Sequence, residues 1–237
     1  MSDLHLSKII PSGVSRQTLL DHPSCLLPLF HGTDRTIASM SQEERSELRT
    51  ACGIVIDYLL PVYEENEFEK RTSQENQRDL QELYAKVVDR RGKAALRKSK
   101  NSLYSYDNVY LTFDPLKANI YAEDASVCGE LGSIAYWLLR GAEKLGYELP
   151  MPSTSQKSAL EKVRAAGMRK PDPILLCYMG IPKDRLQTEQ GNPVDWEKII
   201  DLFLKDFQYG VVRVLGDFDI SDGMITTFKE LRQLYGD

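Results

Sequence analysis

No run in this chain approaches the roughly 18–20 consecutive apolar residues that span a bilayer, so no membrane-crossing helix is expected. The N-terminus, Met1-Ser2-Asp3-Leu4-His5, has neither the basic stretch nor the apolar stretch of a secretory signal. The expected location is therefore cytoplasmic, which is compatible with delivery into a host cell. Cysteine is scarce: Cys25, Cys52, Cys128 and Cys177 lie far apart and form no Cys-x-x-Cys pair. Free thiols are expected rather than a disulfide framework or a zinc site. There are three histidines, His5, His22 and His31, too few and too scattered for a histidine-based metal centre, and no metal is expected. The Walker phosphate loop, a Gly-x-Gly-x-x-Gly after a strand, the Gly-x-Ser-x-Gly elbow and His-Glu-x-x-His are all missing. Excess positive charge is missing too: the net charge is −5, which excludes a chain coated for non-specific nucleic-acid binding.

What is present is an ordinary globular composition, 237 residues with 42% hydrophobic side chains, enough to bury a substantial core. Residues 1–24 read as a polar arm with a short helix around Arg16–Asp21. Cys25–Phe30 is an apolar run read as a buried strand before Gly32. Ser41 to Tyr63 reads as a helix, opened by the capping-box pattern Ser41-Gln42-Glu43-Glu44 and carrying Leu48, Cys52, Val55, Ile56, Tyr58 and Leu59 on one stripe. Thr72–Arg97 reads as a second helix with Leu80, Leu83, Tyr84, Val87 and Val88 inward. Tyr104–Phe113 alternates as a strand, and Asp114-Pro115 is a helix start. Ala125–Leu145 is a long helix ended by Gly146. Pro150–Ser155 is a loop, Gln156–Ala166 a helix, Ile174–Met179 a strand, and Pro193–Phe207 contains a helix. Gly210–Leu215 is a β-branched strand. Asp217 onward is a strand or turn, with a last helix from Ser221 or Asp222. Short strands with intervening helices, and no internal repeat, define an α+β protein.

The charge is unevenly spread. Lys86 to Lys100 holds Lys86, Arg90, Arg91, Lys93, Arg97, Lys98 and Lys100 against the single Asp89. Such a run is commonly a solvated helical face. It is also the best local candidate for a phosphate or nucleic-acid contact.

Two segments carry more chemistry than the rest. The first is Leu29-Phe30-His31-Gly32-Thr33, an imidazole beside a bendable backbone and a hydroxyl. The second is Val109-Tyr110-Leu111-Thr112-Phe113-Asp114-Pro115-Leu116-Lys117-Ala118-Asn119-Ile120-Tyr121-Ala122. It places two tyrosines eleven residues apart, across a strand end, a capped turn and two helical turns. Ala118, Tyr121 and Ala122 share a helix face at spacings of three and four.

These segments resemble the first two signature motifs of the ADP-ribosyltransferase superfamily, in its diphtheria-toxin-like, poly(ADP-ribose)-polymerase-like branch. The resemblance implies a single domain over residues 1–237 with a split, mixed β-sandwich core. Residues 34–103 are then a helical insertion between the first and second motifs. It implies NAD as co-substrate. His31 would bond a ribose hydroxyl. The backbone of Gly32 would bind the nicotinamide carboxamide, and Tyr110 and Tyr121 would sandwich the ring by offset stacking. Thr33 and Thr112 complete the implied cofactor-binding set, Thr112 standing in for a Ser the family often carries where this chain has Ala118 and Asn119. His31, Tyr110 and Tyr121 are the implied catalytic residues. Cleavage of the glycosidic bond to a cationic leaving group would then rest on positioning and electrostatics.

The third motif of that branch is a Glu on a late strand, and Val211 stands there in Tyr209-Gly210-Val211-Val212-Arg213-Val214. A hydrophobic residue at this point resembles mono-transferases and inactive members of the branch, and also RNA 2′-phosphotransferases. Glu123, Glu130, Asp217 and Asp219 are alternative carboxylates, although Asp217-Phe218-Asp219 also reads as a turn and cap. The expected function is transfer of one ADP-ribose to a macromolecule, protein or nucleic acid, in a toxin or defence role. Two alternatives stay open: an NAD-dependent RNA 2′-phosphotransferase, and an inactive module that binds NAD or ADP-ribose.

Overall fold

The computed structural model describes residues 6–10, 12–66, 78–99, 109–124, 129–205, 210–216 and 218–235. In chain order the helices are α1 (Arg16–Asp21), α2 (Pro23–Leu26), α3 (Arg35–Ser39), α4 (Gln42–Glu65), α5 (Arg78–Ser99), α6 (Pro115–Asp124), α7 (Gly129–Lys144), α8 (Thr154–Gly167), α9 (Trp196–Phe203) and α10 (Phe228–Tyr235). The strands are β1 (Leu29–Asp34), β2 (Val109–Thr112), β3 (Pro173–Tyr178), β4 (Leu186–Thr188), β5 (Val211–Val214) and β6 (Met224–Thr226). The class is α+β, as expected. No described helix is long and apolar enough to cross a membrane.

Backbone contacts divide the chain into two compact units. One is Met1–Ser39, Asp107–Glu123 and Asp172–Asp237; the other is Met40–Tyr106 and Asp124–Pro171. The first holds the six strands in one sheet, ordered β4-β5-β2-β1-β3-β6. Every pairing in it is antiparallel, in place of the mixed sheet the resemblance implied. Side chains alternate between its faces. Leu29, Leu111, Ile174, Leu176, Val212 and Val214 build one core with Leu19 of α1 and Ile199, Ile200 and Phe203 of α9. Phe30 and Leu175, on the opposite face, meet Ala118 of α6 and Leu231 of α10.

The ladders are unequal. β1 pairs with β3 at six positions, from Leu29 opposite Tyr178 to Asp34 opposite Pro173. β2 pairs with β5 at four, from Val109 opposite Val214 to Thr112 opposite Val211. Between β1 and β2 the ladder has one register pair, Phe30 opposite Thr112. Beyond Phe30, the side of β1 facing β2 has no ladder partner among the described residues.

The second unit is helical. α4 packs on α7 and α8, and α5 on α7. The Ser41–Glu44 capping box opens α4 as the sequence indicates: Glu44 N–H donates to Ser41 Oγ, and Ser41 N–H donates back to the Glu44 carboxylate. Tyr63 buries its ring and donates its hydroxyl to the Leu138 carbonyl at 2.6 Å. Gly146, at φ 66°, ends α7 in a Schellman turn: Tyr147 N–H reaches the Ala142 carbonyl, and Gly146 N–H that of Glu143.

Several boundaries differ from expectation, each for a local reason. The run Cys25–Phe30 is not one strand, because Pro23 starts the helical turn α2 and places Cys25 in it. β1 therefore begins at Leu29 and contains His31, Gly32 and Thr33. The last helix starts at Phe228, where Thr227 and Glu230 form a reciprocal cap, and not at Ser221 or Asp222. Residues 72–77 and 104–108 of the expected helix and strand, and 125–128 of α7's expected first turn, lie outside the described residues, as do the side chains of Leu80, Leu83 and Tyr84. Val87 is fully buried.

Candidate functional site

The site is built where β1, β2 and the start of α6 meet. Asp114 starts α6. Its N–H donates to Thr112 Oγ1 at 3.1 Å, its Oδ1 accepts from Leu116 N–H at 2.9 Å, and its carbonyl accepts from Ala118 N–H at 3.0 Å. Pro115, at the first helical position, needs no partner for a missing N–H. This turn lays α6 flat against β1. The contact depends on Gly32: a Cβ built there would fall 1.7 Å from the Ala118 carbonyl oxygen and 2.8 Å from the Ala122 nitrogen. No side chain fits in that space. Ala118 and Ala122, essentially fully buried, complete the close approach.

His31 is the second fixed point. Its Nδ1 lies 2.9 Å from the Tyr110 carbonyl oxygen. A carbonyl only accepts, so Nδ1 carries the hydrogen. In the neutral ring Nε2 is then the acceptor. The bond crosses between β1 and β2 just past their one register pair, where a ladder bond would otherwise stand.

The structure thus brings His31, Gly32, the Tyr110 main chain and the Ala118–Ala122 turn to one stretch of β1. Gly32 is on the sheet face that α6 covers, and the His31 side chain is, by strand alternation, on the opposite face with Leu29 and Leu176. Tyr121 stands within that turn, between the buried Ala118 and Ala122, and is itself 51% exposed. Tyr110 is half-buried and sits directly opposite Arg213 in the β2–β5 ladder.

Other residues singled out from the sequence are placed differently. Thr33 is buried opposite Ile174, and Thr112 is buried with its hydroxyl engaged in the turn to α6. Val211 is buried opposite Thr112. Glu123 accepts from the Asn119 side chain at 2.8 Å, four residues back on α6. Glu130 is an exposed residue of α7 in the helical unit. Asp219 caps a short 3-10 turn by accepting from Ser221 N–H, the capping role its spacing indicated. Asp217 lies outside the described residues.

The basic segment forms part of α5 in the helical unit. Asp89 reaches Lys93 at 3.1 Å and Arg90 at 3.8 Å, and Lys86 stands 4.7 Å from the centre of the Trp137 ring. Arg91 belongs to the same helix. The side chains of Arg97 and Lys98, and Lys100 altogether, lie outside the described residues.

Two groups stand out only in the structure. Asp114 is 3% exposed and its Oδ2 has no hydrogen-bond partner. Burial pushes its carboxyl above the ordinary carboxylate value, against the lowering effect of the Lys117 and Leu116 N–H groups. Arg213 has its Nε buried and unbonded. The one sequence signal for it was an arginine inside a run of valines, a charge where a half-buried strand would take an apolar or neutral residue.

No protein-family model matches this chain, and no curated protein or solved structure is significantly similar to it.

Proposed function

We propose that the protein is an NAD-dependent ADP-ribosyltransferase-like enzyme, with the β1–β2–α6 junction as its site. More particularly, it transfers one ADP-ribose to a macromolecular acceptor. The observation that carries this reading is the His31–Tyr110 bond at the opening of the β1–β2 ladder. With Nδ1–H held by the Tyr110 carbonyl, the neutral ring presents Nε2 as an acceptor, which a ribose hydroxyl can meet by donating. The bond also accompanies a stretch of β1, from His31 through Asp34, that has no ladder partner in β2 among the described residues. Gly32 lies in that stretch, where a planar carboxamide needs main-chain N–H and C=O groups to meet it. Tyr110 and Tyr121, on the strand and helix that flank the junction, supply aromatic faces for the ring.

On this reading the C1′–N bond to nicotinamide breaks and the bonding pair leaves with the ring nitrogen, neutralising its positive charge. A new bond forms from C1′ to the acceptor's nucleophilic atom, whose proton goes to solvent or to a base on the acceptor. Clamping and orientation are what this chain's residues contribute. If the acceptor is a nucleic acid, the basic side of α5 (Arg90, Arg91, Lys93, with Arg97, Lys98 and Lys100 in its sequence continuation) is the candidate contact. No membrane partner is part of the proposal.

Incubation with NAD labelled in its adenylate part and a cell lysate, followed by separate protease and nuclease digestion, tests the reading. Label transferred to one macromolecular class, and lost in the Tyr121→Ala variant, supports it. Neither transfer nor NAD hydrolysis by the unmodified protein overturns it in favour of a binding module. NAD-dependent loss of a 2′-phosphate from RNA favours the phosphotransferase alternative.

A further inference from the structure

We propose that the guanidinium of Arg213 is an anion subsite beside Tyr110 that takes a phosphate group. In the transferase reading, on which the identity of the ligand rests, this is the diphosphate of the dinucleotide. Arg213 stands opposite Tyr110 on one side of β5 and opposite Gln187 on the other, so all three side chains share a sheet face. That is the face of Phe30 and Gly32, and α6 lies against it.

The guanidinium is held, and its charge is not matched. Nη2 donates to Gln187 Oε1 at 2.7 Å. The backbone turns in beside it at Gly191, φ 85°, where a Cβ would come 2.9 Å from Nη2. These two contacts fix the plane of the fork from the β4 side. Both are neutral. Nε is buried with no hydrogen bond, and Arg213 has no carboxylate partner among the described residues. Val212 and Val214 on either side of it point into the apolar core of the opposite face.

Nε is shielded by the protein and out of a ligand's reach, so the unmatched charge has to be met through the guanidinium's outer Nη groups, where a neutral amide is the one hydrogen-bonded partner among the described residues. Arginine's planar fork matches phosphate oxygens two at a time. Its five N–H groups leave donors beyond the one spent on Gln187. Arg213 stands directly opposite Tyr110, so these donors share the sheet face of Tyr110, on the strand next to the one that bounds the proposed nicotinamide site.

The test uses the full chain and calorimetric titration with inorganic pyrophosphate, ADP-ribose, nicotinamide riboside and a short single-stranded RNA. Arg213→Gln is expected to weaken pyrophosphate and ADP-ribose by roughly ten- to hundredfold, the loss of hydrogen bonds to a charged group. Arg213→Lys, which keeps the charge without the fork, is expected to fall between. Nicotinamide riboside, which has no phosphate, is expected to bind both variants as it binds the unmodified protein. RNA weakened by the substitution while ADP-ribose is not assigns the phosphate to the acceptor. In the unmodified protein, pyrophosphate is expected to compete with ADP-ribose, an arm that needs no variant to fold. The proposal is overturned if folded Arg213→Gln binds ADP-ribose, pyrophosphate and RNA unchanged, or if pyrophosphate fails to bind the unmodified protein. Arg213-dependent pyrophosphate binding in a protein that never cleaves NAD keeps the subsite and removes the transferase reading. NAD cleavage with Arg213-independent binding does the reverse.

Discussion

His31 and Tyr110 are joined side chain to main chain, Nδ1–H to carbonyl at 2.9 Å, across the gap where β1 and β2 stop pairing. A side chain has replaced a ladder bond. Two strands are thereby tied without being zipped, and the ring's tautomer is decided by a partner that can only accept. His31→Ala removes the hydrogen bond to the Tyr110 carbonyl, of ordinary net worth, about 0.5–1.5 kcal/mol. The expected outcome is a small drop in melting temperature alongside a loss of NAD cleavage of roughly tenfold or more. A large destabilisation with unchanged cleavage per folded molecule would make His31 a structural tie only.

Gly32 tolerates no side chain. Its Cβ position lies 1.7 Å from a main-chain oxygen of α6, and a helix backbone cannot swing aside as a flexible side chain can. Gly32→Ala is expected to cost at least the roughly 1–3 kcal/mol of an overpacked core site, because α6 must lift from the sheet. Ala118 and Ala122 line the same contact, so Ala118→Leu is expected to behave alike. Thermal melts of both variants check this. A Gly32→Ala protein with unaltered stability would mean that α6 is not seated on β1.

How much of this was readable in the chain depended on range. The Ser41–Glu44 box and the Gly146 stop are local patterns, completed within a few residues, and both form as the sequence indicates. The helix cap at Asp114-Pro115 is of the same kind. β4 was not foreseen, because three residues have no visible period and owe their strand to β5. The Pro23 turn was hidden inside an apolar run that strand and helix fit equally. At the site, the order of motifs placed His31 and Tyr110 together in expectation. The bond between them, 79 residues apart, belongs to pairing geometry and leaves no mark in sequence. Arg213 has little local signal for the same reason: its meaning comes from Tyr110 and Gln187 on neighbouring strands.

Tyr121 is half exposed although its helix neighbours Ala118 and Ala122 are buried. Its ring therefore contributes less to the core than a buried aromatic, whose truncation costs about 3–5 kcal/mol. Tyr121→Ala is expected to lose less than that in denaturant unfolding while abolishing NAD cleavage. An unfolded Tyr121→Ala protein would make Tyr121 a core residue and its place in the motif a coincidence.

Chain elongation is not expected. Val211 is buried opposite Thr112 and offers nothing to polarise a ribose hydroxyl. Glu123 is engaged with Asn119, on the helix that carries Tyr121. Products from labelled NAD should therefore run as single additions on a denaturing gel, never as a ladder. Glu123→Ala, Glu130→Ala and Val211→Ala, assayed together, locate any carboxylate that serves in its place. A large rate loss at either glutamate identifies it, and none at any of the three leaves the acceptor to supply its own base.

Asp114 gives a pH test with a definite sign. Its carboxyl is buried and one oxygen is unbonded, which raises its proton affinity in the folded state above that in the unfolded chain. The native protein therefore holds the proton to higher pH than the unfolded chain. Stability must fall as pH rises from the ordinary carboxylate value through the raised one, and the loss is complete above both. Asp114→Asn keeps an oxygen for Leu116 N–H, and Asn caps helices as well as Asp, while the buried charge is gone. The variant is expected to be at least as stable as the unmodified protein at pH 7, with its relative advantage shrinking toward pH 4. Asp114→Ala, which loses the cap, is expected to cost about 0.5–2 kcal/mol at pH 4 and less at pH 7, where the parent carries the buried charge. Urea unfolding at both pH values decides. An Asn variant weaker than the parent at pH 7 but equal to it at pH 4 would show that the ionised carboxylate stabilises the fold, and would remove Asp114 from the class of unpaired buried acids.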